Sequence, residues 1–535
     1  MRHQTHKAVF CCLLLFSASA LAEKWEFEPR LSVTESYFDN LTLVSDESGE
    51  KNGELVTQLL PGFSLTRKSR RLQLNALYTY GYIKYLGNEF SDRSYNQGSL
   101  NASAELIRQY LFMNAIASVS QQVFDPTRAF SANTGGNLST SPVYVTNNQI
   151  ETRTIGLQPR LVNRFGPYAN STLNYDYSIL NYSGSAISNY QRSTLTYNLS
   201  SGRWFKNLSW NANATQSSSS QTNAEYLSSY MRVDYDLSRH WALFTMMRAQ
   251  KYSYLSLANT SPYFINPEAG IVWTASRKLK TEVGGGGALN AGDLSNNKIT
   301  FDQRTWRVIV NLQPTTRTQF SLGRTASVYG DQKFMNFSHR VRRGDLSSSY
   351  SELLITPQQL RSSTALTGGA LGGGGFGSTG GFGGGGFGGG FGGSGVADSA
   401  GILGRIVTDD VLLRKRLNAN ISLSYKKLTL TGGGFFDEGE YQTSKVRDKR
   451  YGVNSGVDKR IGRSTNWSNQ LSVQRYYFEN GNRVDNISTF TSTLSRQVNK
   501  RINTSLTYQW RNRDSSSGIA NYTAQMLIAR LDATF

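Results

Sequence analysis

The chain closes on Tyr522-Thr523-Ala524-Gln525-Met526-Leu527-Ile528-Ala529-Arg530-Leu531-Asp532-Ala533-Thr534-Phe535. Leu527, Ala529, Leu531, Ala533 and Phe535 share one face of a period-2 segment, with Arg530, Asp532 and Thr534 on the other. The apolar face has the length of the roughly nine to eleven residues that a tilted strand needs to cross hydrocarbon. Soluble chains usually fray into water at their ends. An ending on a bare aromatic ring therefore points to a final strand that meets lipid, with an edge strand of a soluble sheet as the competing reading.

The same alternation runs back through the chain. Near the start, Trp25, Phe27, Leu31, Val33 and Tyr37 share a face opposite Glu26, Glu28, Arg30, Ser32 and Thr34. Leu72, Leu74, Ala76, Tyr78, Tyr80 and Tyr82 form another stripe, as do Leu111, Met113, Ala115, Ala117 and Val119. Trp241, Leu243, Thr245, Met247 and Ala249 repeat it, and so do Leu417, Ala419, Ile421 and Leu423. Tyrosines on alternate positions, as at Tyr175 and Tyr177, read as an interfacial girdle. Soluble propellers and β-helices also repeat short strands, but each unit then carries a recognisable motif, and none is found. The expected fold is all-β: one large antiparallel transmembrane β-barrel of about 24 strands (range about 20–26), with short periplasmic turns and long extracellular loops. An even strand number puts both termini on the periplasmic side.

Length and leader agree with this. Arg2, His3 and Lys7 precede the apolar run Ala8 to Phe16, and Ala20-Leu21-Ala22 precedes Glu23. Residues 1–22 therefore read as a cleaved Sec-type signal peptide and 23–535 as the barrel. Both cysteines of the sequence, Cys11 and Cys12, fall in the leader, so the mature chain is expected to have no disulfide and no thiolate metal site. No stretch approaches about eighteen consecutive apolar residues, so no membrane helix is expected. Two loops stand out, one from Val123 to Gln149 and one over 353–410 between strands. The second contains a Gly-rich core, Thr367 to Gly395, punctuated by Phe376, Phe382, Phe387 and Phe391. Glycine loses much backbone entropy on ordering, so the core reads as a disordered extracellular loop or as a constriction folded into the lumen.

The formal net charge is +20; removing Arg2 and Lys7 with the leader lowers it by two, to +18. Nucleic acid is a poor partner for a secreted chain without helices. The position of the charge says more. Each tight turn carries Lys or Arg: Arg67, Lys68 and Arg70; Arg108; Arg164; Arg203 and Lys206; Arg239; Arg277 and Lys278; Arg317; Arg342 and Arg343; Lys426 and Lys427; Lys459, Arg460 and Arg463; Lys500 and Arg501. Closure would turn them into a basic ring at the periplasmic mouth. Such a ring either sits among anionic headgroups with its stems snorkelling, or gathers an anionic polysaccharide or an acidic periplasmic partner. Catalysis finds little support. The mature chain keeps only His240 and His339, both near periplasmic strand ends and away from any obvious nucleophile. No catalytic, cofactor or metal residue is expected. Alternation from Trp25 onward also leaves no plug domain ahead of the first strand, so the plugged-importer class fits poorly.

The segment Ser32-Val33-Thr34-Glu35-Ser36-Tyr37-Phe38-Asp39-Asn40-Leu41 resembles the opening strand and first loop of the PEP-CTERM/exosortase system-associated outer-membrane β-barrel proteins. Leu346 through Tyr350-Ser351-Glu352, and Asp409-Asp410-Val411-Leu412-Leu413-Arg414-Lys415-Arg416, resemble later landmarks of that family, while the Gly/Phe loop departs from it. The terminal residues Leu527, Ala529, Leu531, Ala533 and Phe535 likewise resemble the strand signal read by the barrel-assembly machinery. The family resemblance implies an outer-membrane location and a link to exopolysaccharide and protein sorting, with no catalytic residues. The expected role is a porin-like channel or export conduit in outer-membrane lipid. The alternative is a non-conducting, surface-structural or adhesive barrel.

Overall fold

The computed structural model describes residues 25–47, 51, 53–87, 90–123, 149–183, 189–220, 225–253, 263–290, 300–327, 330–355, 412–441, 446–478, 482–516 and 521–535. Residues 1–22, read above as a leader, the loop between Val123 and Gln149 and the Gly/Phe core all lie outside those residues. The described residues form 24 strands and no helix. The first twelve are β1 Trp25–Phe38, β2 Glu54–Lys68, β3 Leu72–Tyr85, β4 Arg93–Ile107, β5 Leu111–Val123, β6 Gln149–Phe165, β7 Ala169–Tyr182, β8 Tyr190–Ser201, β9 Leu208–Ser219, β10 Glu225–Asp236, β11 Trp241–Ser253 and β12 Tyr263–Ser276. The second twelve are β13 Leu279–Asn290, β14 Thr300–Thr315, β15 Thr318–Ser327, β16 Gly330–Val341, β17 Gly344–Ile355, β18 Leu412–Ser424, β19 Leu428–Tyr441, β20 Arg447–Arg460, β21 Thr465–Phe478, β22 Arg483–Gln497, β23 Ile502–Ser515 and β24 Tyr522–Thr534. β17 thus runs to Ile355, slightly into the segment read from sequence as loop.

Every strand pairs antiparallel with its neighbours in the chain, and β1 pairs with β24 from Arg30↔Thr534 to Phe38↔Met526. The sheet is closed, so no edge is left with unpaired amides in lipid. The eleven tight turns, the start of β1 at Trp25 and the end of the chain at Phe535 lie at one rim.

Alternation separates two surfaces. Outward positions are apolar and exposed: Trp25, Phe27 and Tyr37 on β1, Tyr78, Tyr80 and Tyr82 on β3, Trp241, Leu243 and Met247 on β11, Leu527 and Leu531 on β24. A soluble protein rarely presents so continuous an apolar surface; a hydrocarbon belt requires it. Inward positions are mostly Ser, Thr, Asn, Gln and Gly. On β8 and β9 they run Thr194, Thr196, Asn198 and Ser200 against Ser217, Thr215, Asn213 and Asn211. Asn213 donates to Asn198 at 2.6 Å, and Thr194 bonds Ser217 at 3.1 Å, so neighbouring lumen side chains satisfy one another.

Candidate functional site: the lumen walls and the basic rim

The lumen is not uniform around its circumference. Beside the closing seam it carries an apolar cluster. Phe38, Val56, Leu60, Ile83, Tyr85, Tyr95, Ala524, Met526 and Ile528 come from the inward faces of β1, β2, β3, β4 and β24, and all are nearly inaccessible. Tyr95 lies flat over Gly81, where an added Cβ would meet its ring at 2.3 Å, and its hydroxyl accepts from Gln58 Nε2. The 39–47 loop closes over this cluster. Asn40 both donates to and accepts from Val44 at 2.9 Å, and Leu43 is held at φ 54° in the left-handed region, a position uncommon for a branched apolar residue. That turn drives Leu41 and Leu43 inward to 1% and 3% exposure. Each stabilises the loop by roughly 1.5–3 kcal/mol.

The same loop hooks the top of β24. Asp39 N donates to Gln525 O at 3.2 Å, and Gln525 N donates back to the Asp39 carboxylate at 2.6 Å. Asp46 N donates to Asn521 O, while its carboxylate accepts from Thr523 N and Oγ1. Lys51 sits 2.9 Å from the same carboxylate. Burial opposes ionisation of Asp46, but Lys51 and the Thr523 donors outweigh it and hold the carboxyl below its ordinary value. The clasp extends the seam past Phe38, where the strand ladder ends.

On the inward face of β10–β14 the wall is ionic and balanced. Arg232 bonds Asp234 and, bidentately at 3.0 Å, Glu282. Arg307 reaches Glu282 and Glu268 at 3.2 Å each, with Arg307 and Glu268 3% and 4% exposed. Arg248 lies on the same face beside Asn266. Three arginines thus meet three carboxylates, and Phe244, Met246 and Val272 pack between them, Phe244 under the Arg232 guanidinium at 4.4 Å.

On the inward face of β18–β23 the balance fails. Arg414 and Arg450 share Asp437. Arg483 and Arg513 share Asp485, at 3.2 and 2.9 Å. Register adds Arg416, Arg511 and Asp448 to this face and, nearer the turns, Asp458 and Arg460, so seven guanidiniums stand against four carboxylates among the described residues. Arg450 also lies over the rings of Phe435 and Tyr476, and Arg511 donates to the Tyr522 hydroxyl at 3.0 Å. This wall escaped the sequence reading. Its residues lie on five separate strands, and only the register aligns them.

The turn cations lie where alternation put them, at the rim where β1 begins and β24 ends. Lys68, Arg70, Arg108, Arg164, Arg203, Lys206, Arg239, Arg277, Lys278, Arg317, Arg342, Arg343, Lys426, Lys427, Lys459, Arg460, Arg463, Lys500 and Arg501 are exposed there. Arg67 differs. It is 7% exposed and pairs in register with Trp25, its guanidinium 4.8 Å above that ring on the lipid-facing side. A side chain so placed is an interfacial anchor rather than part of an open rim. Of the two histidines, His240 lies in the β10–β11 turn with Nδ1 2.8 Å from Thr274 O, and His339 bonds Thr318 Oγ1 at 2.8 Å. Among the described residues no group of three or more His, Cys, Asp or Glu could hold a metal ion. In the terminal strand Leu527, Leu531 and Phe535 are 46%, 42% and 65% exposed on the outer face. Ala529 and Ala533 lie between them.

No family model and no curated protein matches the chain. Among solved structures the chain is similar to the siderophore receptor PirA of Pseudomonas aeruginosa, with 12% identity, TM-score 0.41, and 95% of this chain aligned to 80% of that one. It is similar to the FrpB iron transporter of Neisseria meningitidis, with 9% identity, TM-score 0.43, and 96% aligned to 83%. For Pseudomonas aeruginosa OpdK, solved with vanillate, the figures are 8% identity, TM-score 0.29, and 95% aligned to 99%. Likeness of this extent carries nothing about cargo, and the fold stands on the closed ladder and the apolar belt of the chain itself. The protein is a multi-pass β-barrel of the outer membrane.

Proposed function

We propose that the barrel is a conduit for an anionic polymer, with extracellular polysaccharide as the cargo class. The observation that carries this reading is the β18–β23 wall, where seven lumen-side arginines face four carboxylates. A polyanion passing that face meets fixed positive charge in a confined space, which raises its local concentration. The exposed cations of the turn-bearing rim carry the same sign of charge, and that rim is the periplasmic mouth in this reading. The link to exopolysaccharide and the PEP-CTERM/exosortase system rests on the resemblance of 32–41, 346–352 and 409–416 to that family.

A second reading makes the barrel a silent anchor for its extracellular loops. One observation favours it: the seam side of the lumen is filled by its own apolar cluster and the 39–47 loop. Planar-bilayer recording of the full-length protein separates the two. A conduit gives a large, stable conductance that a soluble anionic polysaccharide blocks, and an anchor gives none. Replacing Lys426, Lys427, Lys459 and Arg460 together by Gln is expected to weaken polymer block severalfold, with assembly in outer-membrane fractions unchanged. If assembly falls and block does not, the rim cations serve lipid rather than cargo.

A further inference from the structure

The outward face carries a charge asymmetry that neither the belt nor the conduit requires. On most strands the apolar stripe gives way to neutral polar residues toward the extracellular end. On β14–β21 it gives way to cations. Two places beyond Trp306, Leu322, Met335, Leu417, Tyr451 and Val473, on the same outer face, stand Arg304, Arg324, Lys333, Lys415, Lys449 and Arg475. β17 and β19 place Glu352 and Glu438 at the equivalent positions. Among the described residues of β1–β13, only Lys84, Arg153 and Lys251 stand so, on separated strands, and Arg153 is 2.7 Å from its own Glu151.

Register makes the row continuous. Arg324 pairs with Lys333, Glu352 with Lys415, Lys415 with Glu438, and Glu438 with Lys449. Glu438 is 11% exposed and lies 3.3 Å from Lys415 and 3.6 Å from Lys449, so it spaces and orients two lysines that remain 32% and 39% exposed. Each ammonium has three donors, and one carboxylate shared by two lysines does not use them all. The Arg324 guanidinium lies over the Trp306 ring at 4.5 Å, at the upper edge of the apolar stripe. Trp and Tyr mark that level in barrels, where chain carbons end and headgroups begin.

The geometry points to a binding site for phosphorylated glycolipid of the outer leaflet, on the outer wall of β14–β21. The acyl chains would lie along the apolar stripe, with the lipid A phosphates against the cations at its upper edge. The site concerns the outer wall alone and does not depend on what crosses the lumen. Asp331 stands two places beyond Lys333 on the same face, and Arg447 pairs there with Glu440 at 3.3 Å. Seven cations against four carboxylates still give a local excess of positive charge beside hydrocarbon, a pairing that suits an anionic amphiphile better than a soluble anion.

The test uses the full-length barrel in detergent, with diphosphoryl lipid A and its fully dephosphorylated form as probes, binding being read by native mass spectrometry. The diphosphoryl form is expected to bind and the dephosphorylated form to bind at least about tenfold more weakly. The Arg324→Gln/Lys333→Gln/Lys415→Gln/Lys449→Gln variant is expected to lose the same preference. A Lys84→Gln/Lys251→Gln control on the far wall is expected to keep it. Heat-modifiable gel mobility confirms that each variant is a folded barrel. Equal binding of the two lipids by the unsubstituted protein overturns the proposal whether or not the variant folds. So does undiminished preference in the folded fourfold variant.

Discussion

The inward faces of β10–β14 and β18–β23 lie on the same sheet and are built from similar residues, yet they solve the problem of lumen charge differently. On β10–β14 cations and carboxylates are equal in number, and Asp234, Arg232, Glu282, Arg307 and Glu268 form a continuous chain of ion pairs. Such a network fixes side chains and cancels field. On β18–β23 one aspartate serves two arginines, at Asp437 and again at Asp485. Sharing keeps guanidiniums ordered without cancelling them. The first wall is therefore a strut, and the second keeps an excess of positive charge on the lumen side of the sheet.

The largest difference between the walls should appear in stability. Arg307→Met removes the ion-pair partner of Glu268, a side chain 4% exposed, and one of two from Glu282. It is expected to destabilise the barrel by about 3–5 kcal/mol, the usual cost of orphaning a buried charge. Arg450→Met leaves Asp437 with Arg414 and is expected to cost only about 1 kcal/mol. Urea unfolding in detergent, read by tryptophan fluorescence, measures both. Equal costs would erase the distinction between strut and presented charge.

Ion selectivity should invert that order. Replacing Arg414 and Arg416 together by Gln is expected to lower the anion-over-cation permeability ratio severalfold, measured as reversal potential across a salt gradient. The paired change Arg232→Met/Glu282→Met, which removes one charge of each sign, is expected to leave the ratio unaltered. A shift of equal size from both changes would mean that the β18–β23 excess does not govern selectivity.

The smallest effect belongs to the seam clasp. The Asp46 carboxyl is held below its ordinary value, so its contribution is fully present above the unfolded-state value of about 3.9 and fades as pH falls through the lower folded value. The clasp should therefore be indifferent to pH between about 5 and 8 and loosen only below about 4. Asp46→Asn should cost about 0.5–1.5 kcal/mol at neutral pH and abolish that acid step. An unchanged acid step in the variant would assign it to another group.

The outer surface was legible because lipid imposes one rule on every strand. Leu111 to Val119, Trp241 to Ala249 and Leu417 to Leu423 alternate without a partner's help, and the turn cations follow once the strands are counted. The seam cluster was not legible for the opposite reason. In Met526-Leu527-Ile528-Ala529 both faces are apolar, so period 2 cannot show that Met526 and Ile528 point inward while Leu527 points to lipid. Arg67 was read as a rim cation because its neighbours in sequence, Lys68 and Arg70, are. Its pairing with Trp25, distant in the chain, decides otherwise. Asp437 and Asp485 look like ordinary surface charges until the ladder sets two arginines beside each.

The central claim is that adjacent residues of one strand face water and lipid. With both native cysteines at Cys11 and Cys12, single cysteines at Gln470 and Leu471 on β21 give the most direct measurement. In proteoliposomes the Gln470→Cys protein is expected to react with a water-soluble, membrane-impermeant maleimide. The Leu471→Cys protein should resist it and, once labelled before reconstitution, be quenched by a lipid-borne quencher. Comparable reaction of both positions with the water-soluble reagent, or the reverse pattern, would contradict the account.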